Sequence, residues 1–246
     1  MRVASLIALF AVSFSALANN VVTLASGEWY PYQSQSLRKG GYLAHIVTEA
    51  FKLEGYKVEI QYYPWARGFD KVRRGEIDGS FVYSKTKERQ NYALYSDIIL
   101  SVPIAIFHLK GLQLKWEKFG DLSSYRIGGA LGYDYGVSDL EDKEVLDIIR
   151  IEHQLGNYKK LLVGRLDLVL DYPEVAAEFI DQLKIEKDVT QHTKLFNVLS
   201  YSLIISKESE RSEELVAAFN RGLWKLKASG VYSKFREDAE LGTYEK

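Results

Sequence analysis

Four stretches of the chain combine aromatic rings with charged or hydroxyl groups in a way that suits a small polar solute. The first is Glu28-Trp29-Tyr30-Pro31-Tyr32 and the second is Pro64-Trp65-Ala66-Arg67. An indole on a loop is a broad flat wall, and its face attracts a cation by about 0.5–2 kcal/mol. A Trp at a helix start is more commonly core, so Trp65 stays open between wall and core, whereas Trp29, beside Tyr30 and Pro31 in a loop, reads as a wall. The third stretch is Ser84-Lys85-Thr86-Lys87-Glu88-Arg89, where a guanidinium fork that matches a carboxylate stands near the hydroxyls of Ser84 and Thr86. A solvated loop charge is an equal reading of Arg89. The fourth is Gly132-Tyr133-Asp134-Tyr135-Gly136. Glycine lets a ligand approach the backbone there, and amides at a helix start favour anions. Asp171 and Tyr172 face this loop from the next strand end, where a carboxylate would take an ammonium group.

These stretches share an address. Each follows or faces a run that reads as a strand, and ligands of open α/β sheets bind just beyond the carboxyl ends of the strands. The pattern predicts strands over 21–25, 58–62, 79–83 and 98–107, with helices ending at Gly55 and Gly75 between them. A second cycle runs through strands at 126–130, 148–151 and 168–170, with helices around 155–163 and 173–183. A strand at 201–206 and a long helix closed by Gly230 follow. Lys71 to Tyr83 and Lys160 to Tyr172, 89 positions apart, carry one pattern: a helix end, a Gly (Gly75, Gly164), a charged residue, an aliphatic, an Asp (Asp78, Asp167) and an apolar strand. Gly can take the left-handed conformation that ends a helix. Two units of one kind predict two α/β lobes with a cleft between them. The expected boundaries are 19–107 plus 197–246 for the first lobe and 108–196 for the second, with two hinge crossings near 107–112 and 191–197.

Composition narrows the function classes. The 246 residues suffice for one large domain or two smaller ones, and 47% hydrophobic with 26% charged residues is ordinary globular usage. Residues 1–18 read as a secretory signal peptide: Arg2 begins it, Val3 to Phe14 are apolar, and Ala16-Leu17-Ala18 is the cleavage site. Its removal leaves 31 basic against 33 acidic side chains, no basic field for nucleic acid. Cysteine is absent, so neither disulfides nor a thiol-linked lipid are expected, and a freely diffusing periplasmic monomer is. His45, His108, His153 and His192 show no metal-ligand or triad spacing, so no metal, cofactor or nucleophilic catalysis is expected.

The order GEWYPY, GGYLAHIVTEAF, PWARGFDKVRRGEIDGSF, YSKTKER, YRIGGALGY and GRLDLVLDYPEVA resembles the periplasmic solute-binding proteins of family 3, the receptors of ABC importers for polar amino acids. The resemblance covers nearly the whole chain after residue 18. Its most specific part is SxTxxR with a downstream GRxD strand. It implies a type II periplasmic binding fold, two lobes that close on a small solute, and delivery to an ABC permease. By the same resemblance Trp29 and Trp65 sandwich the ligand side chain, Ser84 helps bind an α-amino group, Arg89 grips the α-carboxylate, and Tyr133 and Asp134 contact that carboxylate from the other lobe. One extra residue between Asp167 and Glu174 leaves the ammonium-binding acid as Asp171 shifted, or replaced by Tyr172. Two other readings of the same fold stay open: a cyclohexadienyl dehydratase using Asp171 or Glu174 as general acid, and a module that hands its closed state to a membrane histidine kinase.

Overall fold

The computed structural model describes residues 20–246; the expected signal peptide lies outside the described residues. Nine strands form one continuous sheet whose two ends are built alike. At one end β1 (Val21–Ser26), α1 (Tyr42–Lys52), β2 (Lys57–Tyr62), α2 (Trp65–Arg73) and β3 (Gly79–Ser84) follow in turn, with β1 between β2 and β3 and both pairings parallel. After α3 (Lys87–Tyr92) and β4 (Ala93–Leu109), the other end repeats the plan. There β5 (Ile127–Ala130), α4 (Ser138–Glu141), β6 (Ile148–Ile151), α5 (Leu155–Leu162) and β7 (Leu168–Asp171) place β5 between β6 and β7, again parallel. The chain finishes with α6 (Pro173–Leu183), β8 (Val189–Gln191), β9 (Asn197–Ser206), α7 (Ser212–Ala228) and α8 (Val231–Glu240).

Strands β4 and β9 join the two ends. β4 pairs antiparallel with β9 from Ala93 to Ile104, then passes to β7 at Ala105–Phe107 and to β8 at Phe107–Leu109. A single strand of 17 residues therefore carries the chain from one end of the sheet to the other, longer at both ends than the sequence run predicts.

The repeated sequence unit does the same structural work twice. Gly75 and Gly164 take φ of 67° and 69° where α2 and α5 end, a conformation in which a β-carbon is strained. Three residues on, Asp78 reaches the backbone of the central strand β1, and Asp167 that of the residue leading into the central strand β5. Asp78 accepts from the Thr23 amide at 2.8 Å and pairs with Arg211, while Asp167 accepts from the Arg126 amide at 2.9 Å and pairs with the Arg126 guanidinium. Each carboxylate thus fixes the register of one three-strand unit, and so the height at which its loops emerge.

One large core runs from the first end into the second, and the second end adds a smaller core of its own. Leu43, Ile46, Val47 and Phe51 of α1 are buried among the side chains of α7, with Phe51 and Phe219 rings 5.3 Å apart. At the other end Phe107, Tyr158, Leu161, Val169 and Ala176 form their own cluster. Burying one such large side chain stabilises by about 1.5–3 kcal/mol. No helix among the described residues is long and apolar enough to cross a membrane.

Candidate functional site

The carboxyl ends of β1, β3, β5 and β7 open onto one cleft with two chambers. The inner one encloses about 230 Å³, and the outer one about 960 Å³. Trp29, Trp65, Gly132 and Tyr133 wall both, and form the join between them. The outer chamber alone falls within the size range of small-solute sites.

Arg89 is the centre of the inner chamber. Thr86 caps α3, its hydroxyl accepting from the Arg89 amide at 3.2 Å, and so fixes the turn that carries the guanidinium. Nη1 of Arg89 donates to the Ser84 carbonyl at 3.0 Å and to Ser84 Oγ at 2.8 Å, while the guanidinium lies 5.1 Å from the Tyr83 ring and 5.9 Å from that of Phe69. Its Nε and Nη2 have no protein acceptor within hydrogen-bond reach among the described residues. Ser84 in turn donates to Asp134 Oδ2 at 2.6 Å, across the cleft. Asp134 Oδ1 accepts from the Gly136 amide at 2.7 Å, which holds the carboxylate in place.

The bend of β3 helps aim these groups. Val82 sits at φ 60°, and the register with β9 shifts between Ser80 and Tyr83. A β-branched residue in that region is strained, and a bulge re-aims the side chains that follow it. Val82, Tyr83 and Ser84 all line the inner chamber.

Aromatic rings close the remaining sides. Trp29 is only 4% exposed, packing edge-on to Tyr172 with centroids 5.0 Å apart and against Tyr201 at 5.3 Å. The hydroxyls of Tyr172 and Tyr201 are hydrogen-bonded to each other. Tyr133 lies 5.6 Å from Tyr172. Trp65 can pack against the backbone just beyond β1 because residue 27 is glycine, where a β-carbon would come within 2.3 Å of the indole. Burial raises the hydroxyl pKa of Tyr133 and Tyr172 well above the ordinary value, so both stay neutral donors.

The sequence-derived residues therefore divide. Trp29, Trp65, Ser84, Arg89, Tyr133, Asp134 and Tyr172 line the inner chamber, and Glu28 lines only the outer one. Three expected ligand residues line neither. Arg67 is exposed on α2, its guanidinium 5.6 Å from the Tyr63 ring. Thr86 is spent on the α3 cap. Asp171 is fully buried, accepting from Tyr158 OH at 3.0 Å and from the Tyr172 amide at 2.9 Å. Successive residues of a strand point to opposite faces, so the extra residue in this segment turns Asp171 into the core and Tyr172 into the cleft. Glu174, the other candidate acid, also lines neither chamber; it accepts from Tyr32 OH at 2.6 Å. Sequence reasoning missed Phe69, Glu88 and Tyr201 in the inner chamber and Glu152 and Glu178 in the outer. Only Glu88, next to Arg89, carried a local signal.

The family model for bacterial extracellular solute-binding proteins, family 3, matches residues 21–238. No curated protein sequence matches the chain. Among solved structures it is similar to an ABC uptake transporter substrate-binding protein from Streptococcus pneumoniae with bound histidine, at 18% identity and TM-score 0.72, over 89% of this chain and 92% of that one. It is also similar to the arginine-, lysine-, histidine-binding protein ArtJ from Geobacillus stearothermophilus, at 22% identity and TM-score 0.70, over 89% and 94% of the two chains. A histidine kinase sensor domain with similarity to periplasmic binding proteins gives 18% identity and TM-score 0.72, over 89% and 95%.

Proposed function

The chain belongs to the bacterial extracellular solute-binding proteins of family 3, and on that premise we propose that it is a receptor whose two lobes close on one small polar solute of amino-acid type. Its fold is that of the type II periplasmic binding proteins. The observation that carries the reading is the Arg89–Ser84–Asp134 chain, which brings a cation from the β3 side and a carboxylate from the β5 side against the same 230 Å³ chamber. Arg89 Nε and Nη2 take the solute carboxylate, and Asp134 takes its ammonium in place of the buried Asp171. The lobes are 19–107 plus 197–246 and 108–196, and they rotate about β4 and β9, where the chain passes between them. A ligand that touches both lobes only when they meet favours the closed form.

In this reading the protein works in the periplasm after loss of residues 1–18, as a monomer, and offers its closed form to an ABC importer. The similarity to a histidine kinase sensor domain shows that this fold also serves signalling, and a membrane sensor is the second reading of the recipient. Measuring solute uptake in cells that lack this protein separates the two, because uptake is lost only in the first case.

A thermal-shift screen of the twenty amino acids, small dicarboxylates and aromatic acids tests the receptor role. A ligand at 100 times its dissociation constant adds about 2.7 kcal/mol of stability. The expected result is a clear rise with a small set of amino acids. A flat response to the whole panel would overturn the reading, and conversion of prephenate or arogenate would replace it with the dehydratase one.

A further inference from the structure

By the lobe boundaries given above, three hydrogen bonds between side chains cross from one lobe to the other among the described residues. Ser84–Asp134 and Tyr172–Tyr201 belong to the inner chamber, where a solute would meet them. The third joins Tyr32 to Glu174, the hydroxyl donating to Oε2 at 2.6 Å, and neither residue lines either chamber. A solute in the cleft leaves this bond untouched. Because its two ends belong to different lobes, opening breaks it.

Each end is held by its own lobe. Tyr32 follows Trp29 in a turn closed by two backbone hydrogen bonds between Trp29 and Gln33, both at 2.9 Å. Gln33 is buried, and its Nε2 donates to Ser26 Oγ at 2.9 Å and to the Gly27 carbonyl at 3.2 Å, which ties the turn to the end of β1. The Tyr32 ring is buried too, with its centroid 4.4 Å from that of Trp29 and 6.1 Å from that of Tyr42. On the other lobe Pro173 opens α6 and Glu174 stands in its first turn, a place that the helix dipole favours for a carboxylate. Burial, and then the bond to Glu174, raises the Tyr32 hydroxyl well above its ordinary pKa, so it stays the donor. A hydrogen bond to a charged acceptor is stronger than one between neutral groups.

We infer that Tyr32 and Glu174 form a latch that sets how tightly the receptor holds whatever solute it takes, and that they have no part in choosing that solute. The inference rests on the receptor reading above. The affinity seen for any solute contains the free energy of closing, so a bond made only in the closed form strengthens the binding of every solute by one common factor. The latch sits beside the solute wall, since Trp29 packs on Tyr32 and also on Tyr172, two residues before Glu174. Glu174, which the sequence leaves open as a general acid, thereby acts on closure from outside the chambers.

Tyr32→Phe removes the hydroxyl and keeps the ring, Glu174→Gln keeps a neutral acceptor at an exposed position, and the double variant completes a cycle. Titration calorimetry with L-arginine, L-histidine and L-glutamine reads the affinities for three different side chains, and thermal denaturation of the unliganded proteins reads the fold. The expected result is that Tyr32→Phe weakens every solute that binds the wild type by about tenfold or more, by one common factor and through faster dissociation. Glu174→Gln alone should give a smaller loss with the same uniformity, and adding it to Tyr32→Phe should cost nothing more. Unchanged affinity, a factor that differs from solute to solute, or losses that multiply in the double variant would overturn the latch while leaving the receptor role intact. If the wild type binds none of the three, the wider screen decides the receptor role, and spin labels at Glu59→Cys on β2 and Lys159→Cys on α5 decide the latch without solute. There Tyr32→Phe should deplete the short distances of the unliganded protein, and an identical distribution would overturn the latch.

Discussion

Arg89→Ala is expected to weaken solute binding by about 100-fold or more while leaving a folded apo protein. Removing one member of a buried charge pair costs about 2–5 kcal/mol, and every 1.4 kcal/mol is tenfold in affinity. The apo protein loses less. Arg89 is only partly buried, and its protein contacts are two hydrogen bonds to Ser84 and the faces of Tyr83 and Phe69. Those contacts account for about 1–2 kcal/mol of stability. Arg89→Lys keeps the charge but not the planar fork, and should fall between the two. Calorimetric titration beside thermal denaturation reads both quantities. Wild-type affinity in the alanine variant would remove Arg89 from the site.

Asp171 should make the protein more stable in mild acid than at neutral pH. Desolvation lifts its carboxyl to about 7, while hydrogen bonds from Gln154, the Tyr172 amide and Tyr158 offset part of the rise. The unfolded chain sheds this proton near pH 4. Between about pH 4 and pH 7 the folded protein holds a proton that the unfolded one has lost. The stabilisation is therefore complete below the unfolded value and disappears as pH climbs through the folded one. At 1.36 kcal/mol per pKa unit, the rise to about 7 sets an upper bound of roughly 4 kcal/mol. Asp171→Asn keeps an acceptor for the Tyr172 amide and offers Tyr158 a donor, so it should flatten this slope and exceed the wild type by a few kcal/mol at pH 8. Urea denaturation of both proteins at pH 5 and pH 8 measures the difference. Identical pH slopes would show that Asp171 does not hold its proton in the folded state.

Features legible in the sequence were those written in contiguous residues. The Gly75 and Gly164 units announced two similar sheet ends because each packs a cap, a register-fixing Asp and a strand into a few positions. The loops bearing Trp29, Ser84 and Tyr133 were visible for the same reason. The helix α3 was not, since Lys87–Tyr92 is short, polar all round and held by the Thr86 cap. Nor was the full length of β4, whose first residues are specified by pairing with β9, a hundred positions away. Asp171 shows the limit most plainly. Its place at a strand end marked it as a site carboxylate, but one step of the pleat decides between cleft and core, and it fell to the core. Glu152 and Glu178 come from the end of β6 and from α6, so their meeting across the outer chamber is a product of the fold alone.

A distance across the cleft tests the central claim most directly. The chain contains no native cysteine, so Glu59→Cys on β2 and Lys159→Cys on α5, both exposed, can carry spin labels without interference. Pulsed electron resonance should report a broad distribution without solute, and a shorter, narrower one with saturating solute. The Arg89→Ala protein should stay broad under the same conditions. Identical distributions with and without bound solute in the otherwise wild-type protein would contradict closure of two lobes on a shared ligand.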